Sequence, residues 1–157
     1  MPLIKILSKP SYKIGIWEFS NSEYDSNHCD IIYPNYHKEI NQIKNEKRKW
    51  QIYGTKMLFN ELCKEGVLVS KNKIPHIENL NKNISITHTN QIIAIIIADY
   101  PCGIDIESRN RDISRIKHKF LNKEDFTNGN HLEDLIQNWS MKEVLYKIIK
   151  NKTVLFN

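Results

Sequence analysis

The spacing of apolar and polar positions divides the first half of the chain into strand-like and helix-like segments. Residues 12–19 have the β-branched and aromatic content of a half-buried strand. Over about 37–64, apolar residues recur at steps of three and four, which predicts a long helix that ends before Gly66. Residues 67–83 are predicted to form a connector that holds one short strand over 67–69.

The second half begins with three closely spaced strand candidates, over 84–89, 92–98 and 103–107. The turns between them are short, so the simplest topology is an antiparallel meander. Because 92–98 is apolar at every position, it is predicted to be a central strand covered on both faces. A short helix over 113–120 and a longer amphipathic helix over 131–150 are predicted to follow.

These elements predict an α+β fold in which helices cover antiparallel sheets. Each half of the chain pairs strand segments with a long helix, which indicates a diverged duplication into two similar halves, 1–83 and 84–157. A chain of 157 residues can bury one core, or two small cores packed against each other. A large multidomain protein is excluded.

Charge and cysteine content narrow the class of protein. The chain has 23 Lys and Arg residues against 18 Asp and Glu, and this net charge of +5 favours anionic partners such as nucleotides, nucleic acid or acidic proteins. Cys29, Cys63 and Cys102 are too far apart for a disulfide framework or paired zinc ligands, so we expect reduced thiols in a cytoplasmic protein. The longest strongly apolar stretch, 92–98, is far below the roughly 20 residues of a membrane span. We therefore expect no membrane partner.

An acidic strand is the first candidate for chemistry. In 103–107 the strand period places Asp105 and Glu107 on one face and Ile104 and Ile106 on the other. The Cα atoms of the two acidic residues would then lie roughly 6.5 to 7 Å apart. This separation suits two carboxylates that converge on a hard cation such as Mg²⁺. An amphipathic strand with a solvated acidic face is the alternative for this segment taken alone.

The predicted C-terminal helix adds charges at regular spacing. Glu143 and Lys147 are four residues apart, so they share a helix face with their Cβ atoms roughly 5 to 6 Å from each other. An exposed ion pair contributing about 0.3 to 0.5 kcal/mol is one interpretation, with Trp139 as an ordinary core residue. In the other, Glu143 completes a three-carboxylate magnesium site beside the acidic strand, and Lys147 faces the phosphates of a substrate.

The segments GIDIE over 103–107 and WSMKE over 139–143, followed by Lys147, resemble the signature pair of the 4'-phosphopantetheinyl transferases. The segment ISITH over 84–88 stands where that family has a strand ending in Ser-His. The resemblance is dense over 73–150. Together with the length of the chain, it favours the surfactin-type branch, in which two similar α+β halves form a pseudodimer and coenzyme A binds between them.

This resemblance implies a magnesium-dependent enzyme that moves the phosphopantetheine arm of coenzyme A to a serine of an acyl or peptidyl carrier protein and releases 3',5'-ADP. An internal pseudodimer would make a monomer sufficient. Three carboxylates would hold the metal ion: Asp105, Glu107 and Glu143. Lys147 would bind the phosphates and assist the leaving group. Glu143, or a water molecule that it orients, would take the proton of the carrier serine.

The other implied roles concern coenzyme A. His88 would contact the 3'-phosphate, with Thr87 beside it where the family usually has serine. Lys73 would also reach a phosphate. Arg48 belongs to a basic stretch that, with Lys56 farther along, would meet the nucleotide. The alternatives are an ordinary histidine and a solvated basic helix face.

The sequence departs from the family pattern after the acidic strand. The gap between Glu107 and Trp139 is shorter than usual in this branch, and either Glu124 or Asp125 corresponds to an acidic family position. Relatives continue into further strands beyond the position of Asn157, which leaves open a truncated C-terminal half.

Two other functions stay open at this level. The first is a catalytically weak relative that binds coenzyme A or a carrier protein without transferring anything. The second is a small basic nucleic-acid-binding protein, which the net charge would suit. No recognised nucleic-acid-binding motif accompanies that charge, so we expect no nucleic-acid partner.

Overall fold

The computed structural model describes residues 3–18, 40, 42–89, 91–122, 125 and 132–149, and only the backbone of residues 3 and 4. These residues form an α+β fold with antiparallel sheets. Its strands are β1 (Leu3–Lys9), β2 (Tyr12–Glu18), β3 (Leu68–Lys71), β4 (Ile74–Ile77), β5 (Asn83–His88) and β6 (Ile92–Ala98). Its helices are α1 (Glu46–Leu62), a 3₁₀ helix (Ser114–Lys119) and α2 (Leu132–Ile149).

Four strands form one antiparallel sheet in the order β1-β2-β6-β5, so the strands come from both sides of residue 83. The apolar strand β6 lies between β2 and β5, and Ile93 and Ile95 are fully buried. The central strand predicted over 92–98 is therefore confirmed. The strand predicted over 84–89 is confirmed with a shift of one residue.

Helix α1 covers this sheet and builds the main core. Leu58, Phe59 and Leu62 pack with the buried isoleucines of β6, where removal of apolar surface from water stabilises the contact. The sequence predicted one helix over about 37–64, but the described residues 42–45 are not helical and α1 begins at Glu46; residues 37–39 and 41 lie outside the described residues. The reason is local: the Asn45 side chain accepts a hydrogen bond from the Arg48 backbone N–H, which makes Asn45 the N-cap.

A hairpin replaces most of the predicted connector. Strands β3 and β4 pair antiparallel and are joined by Asn72 and Lys73, which have φ angles of 52° and 66°. Positive φ at both central positions is the geometry of a tight hairpin turn. Pro75 in β4 has no backbone N–H to donate, and a proline is tolerated in a two-stranded sheet because both of its strands are edges.

The acidic segment is not a regular strand, and the prediction of a third meander strand over 103–107 is wrong. The Ile104 N–H donates to the Ser85 hydroxyl at 3.2 Å, and the Ile106 N–H donates to the Thr87 hydroxyl at 3.3 Å. The segment therefore runs beside β5, but side-chain hydroxyls of β5 take the place of backbone carbonyls. No backbone ladder forms between the two segments.

A second, smaller core joins the 3₁₀ helix to α2. Ile113, Phe120, Leu135 and Ile136 are its buried members. The helices predicted over 113–120 and 131–150 are confirmed, the first of them as a 3₁₀ helix. Among the described residues, no helix is both long and apolar enough to cross a membrane. Cys29, Glu124 and the segment after Ile149 lie outside the described residues.

Candidate active site

Asp105 is the most enclosed acidic residue of the site, with its side chain 7% exposed. One carboxylate oxygen, Oδ1, accepts hydrogen bonds from the Thr87 hydroxyl at 3.1 Å and from Lys147 Nζ at 2.9 Å. The other, Oδ2, accepts from the Ser140 hydroxyl at 2.9 Å. Lys147 Nζ also donates to the Ile104 carbonyl at 2.8 Å. Asp105 is thus held between β5 and α2.

Glu107 is held by two groups that themselves touch each other. Its Oε1 accepts a hydrogen bond from the Trp139 indole N–H at 2.9 Å and forms an ion pair with Arg111. The Arg111 guanidinium carbon lies 5.8 Å from the centre of the Trp139 ring, within cation–π range.

Glu143 is the third carboxylate, and it lies half-buried on α2, one turn before Lys147. Burial raises the pKa of Glu143, and the nearby charges of Asp105 and Glu107 raise it further. Lys147 and Arg111 act in the opposite direction without cancelling the rise. None of the described residues donates a hydrogen bond to the Glu143 carboxylate. The three carboxylates predicted from the sequence therefore lie within electrostatic reach of one another.

The chemistry of this cluster suits Mg²⁺ better than its present arrangement does. Carboxylate oxygens are the ligands that Mg²⁺ prefers, and a divalent cation would relieve the repulsion that raises the pKa of Glu143. Within the described ranges, however, no three acidic, histidine or cysteine side chains are already arranged around one metal position. Asp105 and Glu107 instead hold Lys147 and Arg111. A metal ion would compete with these two cations for the carboxylates.

A basic groove lies beside the carboxylate cluster. One cavity of about 740 Å³ lies between α1, the β3–β4 hairpin and the end of β5. Four basic residues line it: Arg48, Lys56, Lys73 and His88. A second cavity, of about 420 Å³, is bordered by both Lys73 and Lys147 and has several apolar walls. Lys73 therefore borders both cavities, and Lys147 connects the second one to Asp105.

His88 lies close to several other basic residues, and their charges affect its pKa. Its Nε2 lies 3.5 Å from a guanidinium nitrogen of Arg48. Partial loss of hydration lowers the pKa of His88, and the positive charges of Arg48, Lys147 and Lys47 lower it further. An anion bound here would meet several positive charges at once, which is the arrangement that phosphate groups require.

Of the residues predicted for the site, Thr87 has a different surrounding from the one expected. It is buried, its hydroxyl donates to Asp105, and it lines neither of the two cavities described above. The remaining predicted residues fall into two adjacent groups. Asp105, Glu107, Glu143 and Lys147 form the acidic group, while Arg48, Lys73 and His88 line the basic groove.

Sequence reasoning missed the groups that hold the carboxylates. Trp139 and Ser140 belong to the WSMKE segment, so the signal for them was present, but Trp139 was interpreted as a core residue. Nothing in the sequence singled out Arg111 or Ser85. Comparison with known proteins adds nothing to these assignments: no family model matches the chain, and no curated protein matches it.

Proposed function

We propose that this chain is a magnesium-dependent 4'-phosphopantetheinyl transferase with the pseudodimeric arrangement of the surfactin-type branch. It would transfer the phosphopantetheine arm of coenzyme A to a serine of an acyl or peptidyl carrier protein. One observation carries the proposal: Lys147 lies between the carboxylate cluster, where it contacts Asp105, and a cavity that also borders Lys73 of the basic groove. The carboxylate cluster that we assign to a metal ion is thereby adjacent to the basic residues that we assign to the phosphates.

The basic groove suits the nucleotide part of coenzyme A. Its volume of about 740 Å³ is within the usual range of small-molecule sites, roughly 300 to 1,000 Å³. Coenzyme A carries a 3'-phosphate and a pyrophosphate, whose negative charges are opposite in sign to Arg48, Lys56 and Lys73, while His88 offers a ring nitrogen for a hydrogen bond. Bound in this groove, the pyrophosphate would lie toward Lys147.

The proposed reaction is a phosphoryl transfer in which positioning and electrostatics do most of the catalysis. The serine oxygen forms a bond to the phosphorus next to pantetheine, and the bond from that phosphorus to the oxygen of 3',5'-ADP breaks. Lys147 would leave Asp105 for the departing phosphate. Asp105, Glu107 and Glu143 would hold Mg²⁺, which supplies positive charge against the charge that develops on the pyrophosphate.

Glu143 is the residue we assign to the serine proton. Unlike Asp105 and Glu107, its carboxylate accepts no hydrogen bond from the described residues, so an oxygen is free to take that proton directly or through a water molecule that it orients. The carrier proteins of this family are acidic, so the net charge of +5 would favour their approach. The proposal includes a monomer that acts in the cytoplasm.

A second candidate function follows from the ion pairs of the cluster. Because Lys147 and Arg111 already neutralise Asp105 and Glu107, the basic groove could bind coenzyme A without any metal ion in place. The chain would then be a relative that binds coenzyme A, or a carrier protein, without transferring the arm.

Mass spectrometry of an apo carrier protein separates the two functions. The chain is incubated with coenzyme A, Mg²⁺ and a panel of acyl and peptidyl carrier proteins, and we expect one carrier to gain the mass of one phosphopantetheine arm. Asp105→Ala and Glu143→Ala should abolish the gain, while Glu133→Ala, an exposed change on the same helix, should not. Saturable coenzyme A binding without any mass gain would instead support the second function. Near-normal transfer by Glu143→Ala would refute its assigned role.

A further inference from the structure

Helix α2 contacts the acidic segment through two consecutive residues. Trp139 donates from its indole N–H to Glu107, and Ser140 donates from its hydroxyl to Asp105. One turn farther along the same helix come Glu143 and then Lys147, which also reaches Asp105. One turn of helix thus fixes both carboxylates of the acidic segment, and the next turn supplies the third.

The position of the Trp139 donor is fixed by the core. Its ring meets the buried Phe120 ring edge to face, with centroids 5.3 Å apart and planes at 70°. Trp139 also packs against the buried cluster formed by Ile113, Phe120, Leu135 and Ile136. Because this packing restricts the Trp139 ring, its indole N–H has a nearly fixed position, and the Glu107 carboxylate must orient toward it to accept the hydrogen bond.

The hydrogen bond from Trp139 leaves one carboxylate oxygen of Glu107, Oε2, available to another ligand. Both contacts, from Trp139 and from Arg111, fall on Oε1. No described residue donates to Oε2. For Asp105, in contrast, donors occupy both oxygens.

We propose that Trp139 and Ser140 are positioning residues for the metal ligands. The Trp139 indole N–H would hold Glu107, and the Ser140 hydroxyl would hold Asp105, close to Glu143 while a divalent cation replaces the cations that now pair with them. This inference rests on the proposed function, because it gives the carboxylates the role of metal ligands. Groups that hold metal ligands by hydrogen bonds commonly change metal affinity 10- to 100-fold when they are removed.

The competing interpretation is that Trp139 is only a core residue whose N–H has found an acceptor. The two interpretations differ in what a change to phenylalanine does, because phenylalanine keeps an aromatic ring against Phe120 and removes only the indole N–H and part of the ring. A core role predicts lower stability with unchanged metal affinity. A positioning role predicts weaker metal binding by protein that is still folded.

Titration with Mn²⁺, followed by the electron paramagnetic resonance signal of the free ion, measures metal binding without any transfer reaction. We expect Trp139→Phe and Ser140→Ala to bind Mn²⁺ about 10- to 100-fold more weakly than the unchanged chain. Coenzyme A affinity, measured without metal, should stay the same because neither residue lines the basic groove. Trp17→Phe is the matched control, since the buried Trp17 indole N–H has no acceptor among the described residues. It should cost stability and leave Mn²⁺ affinity unchanged.

The possible failures are distinguishable. If folded Trp139→Phe and Ser140→Ala bind Mn²⁺ as tightly as the unchanged chain, the positioning role is overturned and the transferase proposal stands. If the unchanged chain shows no saturable Mn²⁺ binding, the metal site itself is overturned, and this inference falls with it.

Discussion

Replacing Gly103 with alanine tests how closely the acidic segment approaches α2. A Cβ atom at this position would lie 2.6 Å from the Val144 carbonyl oxygen and 3.1 Å from Ile148 Cγ1. The first neighbour is a backbone atom of a helix, so it cannot turn aside as a side chain can. The acidic segment and α2 would have to move apart.

The size of the effect follows from these distances. An ordinary carbon–oxygen contact of about 3.3 Å requires a shift of roughly 0.7 Å at Gly103. Overpacking of this kind costs about 1 to 3 kcal/mol of unfolding free energy. The shift also separates Asp105 from Lys147 and Ser140, whose hydrogen bonds are both 2.9 Å long. Since a misplacement of about 1 Å can cost roughly 100-fold in rate, we expect transfer to fall by one to two orders of magnitude.

Urea unfolding, Mn²⁺ titration and the transfer assay together check this expectation. Gly15→Ala is the control, because its Cβ would meet side-chain atoms of Leu58 at 2.7 Å and of Leu62 at 3.0 Å, far along the chain from the acidic segment. It should reduce stability and leave the Mn²⁺ affinity of the folded protein unchanged. A Gly103→Ala chain with normal stability and normal Mn²⁺ affinity would show that the segment and the helix are not in tight contact.

Three further predictions concern single charges. Because the pKa of His88 is lowered, the folded protein favours the neutral imidazole, and this contribution to the unfolding free energy is present above about pH 6.5 and is lost as the pH falls through the lowered value. His88→Gln should make the unfolding free energy depend less on pH in this range. Binding of 3',5'-ADP should raise the His88 pKa in a nuclear magnetic resonance titration. The pKa of Glu143 is raised, which means that its charged form destabilises the fold at neutral pH. Glu143→Gln should therefore be more stable than the unchanged chain at neutral pH, and the difference should vanish below about pH 4. Arg111→Gln should tighten Mn²⁺ binding because it removes a cation from Glu107, and weaker binding would contradict the competition that we infer.

The fold was predictable where a local pattern decides the outcome. The unbroken apolar run of β6 and the periodic helix α2 follow from period and length alone. The strands β1 and β4 did not follow, for different reasons. Ile6 and Leu7 of β1 are 41% and 38% exposed, so no buried face marks that strand, and Pro75 obscures β4. Pairing with a partner strand creates both elements, and a pattern within one segment does not report its partner.

The hydrogen bonds of the acidic segment, 103–107, also depend on a partner segment that its own sequence pattern does not report. Its alternation of Asp105 and Glu107 with isoleucines predicted a strand with two different faces. Whether an extended chain becomes a strand depends on which acceptors its N–H groups meet. Here Ser85 and Thr87 of β5 supply hydroxyl oxygens, and so the backbone ladder is absent.

The sequence predicted which residues form the candidate site, but it did not predict which of them form ion pairs and hydrogen bonds with each other. An ion pair between Glu143 and Lys147 was one interpretation of their spacing, yet Lys147 bonds to Asp105, 42 residues away in sequence. A lysine on a long flexible stem reaches several carboxylates, and its choice depends on tertiary distances that no spacing encodes. Lys147 and Arg111 supply two positive charges against three carboxylates, so one negative charge is uncompensated; burial first, and then the charges of Asp105 and Glu107, raise the pKa of Glu143. That uncompensated charge is the physical reason to expect a cation here, and it became visible only once the two ion pairs were known.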